Sequence, residues 1–96
     1  MNKVLYSLIS KKRGGPTRAK IINELYISPQ NTNQLAKKLK IQYRTVNHHM
    51  AILLNENIVE KENKKYGGLY FLTDDMYDNK EKFRKFEKQM AKNHQK

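Results

Sequence analysis

Between residues 42 and 48 the chain gathers Gln42, Tyr43, Arg44, Asn47 and His48, side chains whose polar groups match the edges of nucleic-acid bases. A guanidinium such as that of Arg44 forks onto guanine, the amides of Asn47 and Gln42 pair with adenine, and Tyr43 reaches a phosphate or packs on a thymine methyl. Such groups act together only when one rigid element holds them on one face. Val46, Met50 and Leu53 recur at i, i+4 and i+7, which predicts a helix over 42–56 with that stripe buried. Its other side then presents Gln42, Tyr43, Arg44, Asn47, His48 and Ala51. A hydrated surface helix is the plain alternative.

A second set of residues suits phosphates. Lys37, Lys38 and Lys40 come just before that helix, Arg18 and Lys20 open an earlier one, Thr45 lies within it, and Lys64, Lys65 and Tyr66 lie between two strand-like runs. Contacts from these groups to a duplex backbone give affinity and salt dependence without sequence information. Simple solvation is the alternative for each lysine.

Other chemistries find no foothold. There is no cysteine, hence no disulfide, zinc thiolate or thiol nucleophile. His48 and His49 are adjacent, so on a helix they point about 100° apart and chelate one ion poorly; the third histidine, His94, is near the end of the chain. Gly14-Gly15 and Gly67-Gly68 lack the remaining elements of a nucleotide loop. Asp74, Asp75 and Asp78 cluster where a helix macrodipole explains them. The expectation is a non-enzymatic protein without cofactor or metal.

The chain has 96 residues and a formal net charge of +11, from 20 basic and 9 acidic side chains. Residues 1–55 hold ten basic groups against Glu24 alone, whereas 56–96 hold ten against eight. Charge of this size favours phosphate backbones or anionic surfaces. No apolar run approaches the roughly 18 residues that cross a bilayer, and residues 1–10 lack the features of a signal peptide, so a cytoplasmic location is expected.

The elements that must position these residues follow from periodicity. Val4, Leu5, Leu8 and Ile9 mark a first helix stopped by Gly14-Gly15; Pro16 opens a second, with Ile21, Ile22, Leu25 and Tyr26 inward, to about Ile27. Ser28-Pro29-Gln30 reads as a turn. Asn31 and Gln34 form a capping box for a helix over 32–40, with Leu35, Ala36 and Leu39 inward. After the helix over 42–56, which closes near Asn55 to Asn57, strands over 58–62 and 69–73 flank a basic loop. Thr73 or Asp74 caps a last helix carrying Met76, Phe83, Phe86 and Met90. The fold class is mainly α with a small β-hairpin wing, a winged helix-turn-helix over residues 1–75, with a C-terminal helix over 76–96.

Several segments resemble archaeal winged-helix transcription regulators related to the arsenical-resistance (ArsR-like) repressors. They are Gly14-Gly15-Pro16-Thr17-Arg18-Ala19-Lys20-Ile21-Ile22, the pair Asn33–Leu39 and Tyr43–Met50, and the wing strand Gly67–Thr73. Gln42 stands where the family often has Ser or Asp, and Asn57 where Gly commonly ends the helix. The resemblance implies a homodimer on double-stranded DNA, regulation of transcription, and terminal helices that pair two subunits. Val4, Leu5, Leu8, Met76, Phe83, Phe86 and Met90 are the candidate interface, since the last four make a stripe narrow enough for packing along another helix; cover for the domain's own core is the alternative. Two other functions stay open at this point, a winged-helix adaptor that binds protein and a non-specific chromatin or RNA binder.

Overall fold

A computed structural model describes residues 3–11, 13–63 and 68–94, for 93 and 94 the backbone alone. Helices α1 (Lys3–Ser10), α2 (Gly15–Ile27), α3 (Thr32–Leu39) and α4 (Tyr43–Asn55) precede a hairpin of β1 (Val59–Lys61) and β2 (Tyr70–Leu72), then α5 (Asp74–Asp78) and α6 (Lys80–His94). The predicted order and fold class hold. The hairpin is antiparallel, pairing Val59 with Leu72, Glu60 with Phe71 and Lys61 with Tyr70.

Local chemistry accounts for several boundaries. Pro16 lies in the first turn of α2, where a missing N–H costs nothing. Asn31 and Gln34 make the reciprocal capping box at α3, each bond 2.8 Å long. Lys40 ends α3 in the left-handed region at φ 57°, and Asn57 takes φ 59° beyond α4. Asn tolerates that conformation better than Lys does.

Three local expectations are corrected. Gln30 does not stay in a turn: its backbone exchanges hydrogen bonds with Tyr70 (3.2 and 2.9 Å), adding one residue of pairing to the wing. The last helix is interrupted at Asn79, whose backbone N–H and side-chain amide both donate to the Asp75 carbonyl, at 3.1 and 2.8 Å. Thr73 stands at the N-cap of α5, but its hydroxyl turns away to the Ile58 carbonyl at 3.4 Å.

One core joins every helix to the hairpin. Ile21, Ile22, Leu25, Leu35, Val46, Met50, Leu53, Ile58 and Leu72 meet there with side chains from both termini. Leu5 and Phe83 have no exposed surface and Met76 has 1%. These three were expected at a subunit interface, and the structure corrects that: they close their own domain, because a chain this small must use its terminal helices to cover the core. Leu8, Phe86 and Met90 are half-buried against the same core, Phe86 with its ring 4.3 Å from that of Tyr6, while Val4 is 42% exposed.

Polar ties hold α6 in place. Asn23 of α2 donates to Glu87 at 2.7 Å and accepts from Arg84 at 2.8 Å. Tyr26 donates its hydroxyl to the Met76 carbonyl at 2.7 Å, and burial is the main cause that pushes this phenol up to about 12. No helix among the described residues is long and apolar enough to cross a membrane.

Candidate nucleic-acid interface

Helix α4 is anchored along one side by Val46, His49, Met50 and Leu53, all buried. Four anchors spread over two turns fix its rotation. Gln42, Tyr43, Arg44, Asn47, His48 and Ala51 are consequently exposed, and Tyr43 keeps 54% of its surface in solvent. Five of the six carry polar groups that donate or accept hydrogen bonds, so the geometry brings the residues expected from the sequence together on one open face. Gln42 occupies the N-cap with an extended backbone but makes no side-chain capping bond, which leaves its amide outward.

The helix has two unlike flanks. On one, Tyr43 shares a cleft of about 90 Å³ with Asn31, Asn33, Lys61 of β1 and Gly68. On the other, Thr45, His48, His49 and Ile52 face the elbow where α1 passes into α2, across a recess of about 600 Å³. Lys37 and Lys40, near the turn into α4, are exposed; Lys38 is exposed too, with Nζ 3.3 Å from the Glu24 carboxylate. Lys20 is exposed on α2. Lys64, Lys65 and Tyr66, which come between β1 and β2 in the sequence, and the side chain of His94 lie outside the described residues.

Arg18 departs from its expected role as a phosphate clamp. It is 5% exposed, donating from Nε to the Leu8 carbonyl at 2.8 Å and from Nη1 to His49 Nδ1 at 3.3 Å. The reason lies in its position: Arg18, Ile21, Ile22 and Leu25 stand at i, i+3, i+4 and i+7, so the residue belongs to the buried stripe of α2. A guanidinium only donates, so His49 must accept at Nδ1 and carry its proton on Nε2 when neutral. Burial first, then the charges of Arg18 and His48, hold the His49 pKa below its ordinary value.

The His48 and His49 rings lie 5.5 Å apart at a steep angle. Among the described residues, no three His, Asp or Glu side chains gather as metal ligands would. Lys11, Arg13 and Thr17, which line the recess beside α4, were not singled out in the sequence. The Lys11-Lys12-Arg13 run read there only as the end of a helix, and nothing local shows that Lys11 and Arg13 come to lie beside α4.

Residues 15–61, from the start of α2 through β1, match the family described as bacterial regulatory protein, arsR family. Among solved structures it is similar to a MarR transcriptional regulator from Methanosarcina mazei Go1, with TM-score 0.72 and 20% identity over 94% of this chain and 65% of that one. The transcriptional repressor BigR from Xylella fastidiosa gives TM-score 0.63 and 21% identity, over 74% of this chain and 66% of its own. The PcaV transcriptional regulator from Streptomyces coelicolor gives 0.70 and 14%, over 92% and 68%. The chain thus spans less than two thirds of the length of the first two. No curated protein matches it.

Proposed function

We propose that this ArsR-like winged helix-turn-helix chain is a sequence-specific regulator of transcription that binds double-stranded DNA as a homodimer, with α4 in the major groove. The observation that carries the reading is the division of α4 into an anchored side and an open side lined by Gln42, Tyr43, Arg44, Asn47 and His48. A major groove about 12 Å wide admits one helix, and the side chains on its open face then meet base edges. Arg44, Asn47 and Gln42 read bases, Tyr43 and His48 read bases or neighbouring phosphates, and Lys37, Lys40 and Thr45 hold the backbone. Lys38 adds to that hold after release from Glu24. Lys64, Lys65 and Tyr66 are assigned to the backbone on sequence grounds.

The dimer rests on what the core leaves over. Val4 is exposed and Phe86 and Met90 are half-buried, so α1 and α6 leave apolar surface for a second copy to cover. A twofold axis there sets two copies of α4 on successive turns of the groove, roughly 34 Å apart. The family and the structural neighbours are regulators, which supports a role without catalysis.

Selection of bound duplexes from a random pool tests the reading. The expected product is an inverted repeat, and Arg44→Ala relaxes preference at one base of each half-site by about 1–3 kcal/mol. No enrichment from the pool, or an Arg44→Ala loss equal on every sequence, defeats it. Sedimentation of the free chain at micromolar concentration checks the dimer.

A further inference from the structure

The recess between the α1–α2 elbow and α4 has one sign of charge. The exposed Lys11, Arg13 and His48 line it together with the buried pair Arg18 and His49 and the half-buried, apolar Leu8 and Ile52. Thr17 and Thr45 add hydroxyls from opposite walls, and no carboxylate is among the residues that line it. Gly14 packs directly on this pair: its φ is +86°, and a Cβ there would come within 2.7 Å of Arg18 Nη1 and 3.0 Å of the His49 ring. Arg18 is held by a carbonyl and an imidazole instead of a carboxylate, so its charge is not neutralised by the partners that orient it. Burial first, and then the charges of Arg18 and His48, depress the pKa of His49.

We infer that this recess is a phosphate-binding pocket, in which Lys11 and Arg13 close over the anion, Thr17 and Thr45 donate to its oxygens, and Arg18 contributes charge. A volume of about 600 Å³ accommodates a phosphate with its waters. Two sources offer this group, a free phosphate and a backbone phosphodiester of bound DNA. In the second case the inference rests on the placement of α4 in the groove: the strand bordering that groove passes along the flank occupied by Thr45 and His48. The pocket would then grip one backbone strand while Lys61 and Tyr43 lie toward the other.

The test uses the full chain and the double variant Lys11→Ala/Arg13→Ala, whose altered side chains are exposed and outside the core, so that its melting temperature stays at the wild-type value. Inorganic phosphate is titrated against chloride at equal ionic strength while the amide resonances of Gly14, Gly15 and Thr17 are followed. In parallel, affinity for a mixed-sequence duplex is measured across salt concentrations. Amide shifts in the wild type that the double variant lacks support the pocket with free phosphate as its source. A plot of log affinity against log salt that is shallower by about one in the variant supports it with the DNA backbone as source, since each neutralised phosphate contributes about 0.9 to that slope. Silence of the amides together with an unchanged slope overturns it. Phosphate shifts in a wild type that fails to bind any duplex would break the reading of α4 and leave the pocket standing.

Discussion

Arg18 and Arg44 place the same guanidinium in two regions with opposite demands. In the seam between α2 and α4, Arg18 is 5% exposed and donates to uncharged acceptors, the Leu8 carbonyl and His49. On the outer face of α4, Arg44 is exposed, on a surface it shares with Gln42, Asn47 and His48. The first ties three helices together and holds α4 at a set rotation. The second is free to exchange water for a ligand. The pair shows why a basic residue cannot be assigned to phosphate or base from its type alone: the hydrophobic stripe of its helix decides where the charge ends up.

The largest expected effect is on the seam. Arg18→Ala removes both bonds and leaves a buried carbonyl and imidazole unsatisfied, each worth about 1–3 kcal/mol, so unfolding free energy should fall by about 3 kcal/mol in urea titrations. If Arg18→Ala instead kept its stability and lost duplex affinity, the distinction between the two arginines would collapse. Arg44→Ala should do the reverse. Its melting temperature stays unchanged while base discrimination falls by about 1–3 kcal/mol, read from competition between the preferred duplex and single-base variants.

Smaller effects sharpen the same contrast. Asn31→Ala removes one half of the capping box of α3 and should lower stability by about 1 kcal/mol, checked by thermal unfolding. Base preference should survive it, because α4 is anchored by its own buried side chains. The smallest effect is on pH. His49 has a folded pKa below its unfolded value, so the unfolded chain binds the proton more readily and the His49 contribution is fully present above about pH 6.5. It is lost progressively as pH falls from there through the depressed folded value. Arg18 from α2, His48 on α4, and Lys11 and Arg13 across the recess are the basic groups around it, so protonation has no neighbouring carboxylate to favour it. Urea midpoints between pH 8 and 5 should decline in the wild type and decline less in His49→Gln.

Much of the fold was legible because its signals are local. The stripe Val46, Met50, Leu53 depends only on the 3.6-residue repeat, the capping box of Asn31 and Gln34 on a spacing of three, and Pro16 on a fixed φ. The open face of α4 follows from the same repeat, so the set proposed to read bases follows with it. The helix break at Asn79 and the pairing of Gln30 with Tyr70 were hidden. The first leaves the apolar spacing of the helix undisturbed, and the second depends on a strand forty residues away.

Burial of the terminal helices was decided by the tertiary structure. The spacing of Met76, Phe83, Phe86 and Met90 is the same for a helix that packs on a second copy and for one that closes its own core. Only the shape of the uncovered core, with Leu5, Met76 and Phe83 filling it, distinguishes them. Arg18 is the sharper case. Its place on the stripe of α2 was written in the sequence, but the partners that make its burial tolerable, the Leu8 carbonyl and His49, come from two other helices. Periodicity determines which side of a helix turns inward, and long-range packing determines what a charged group meets there.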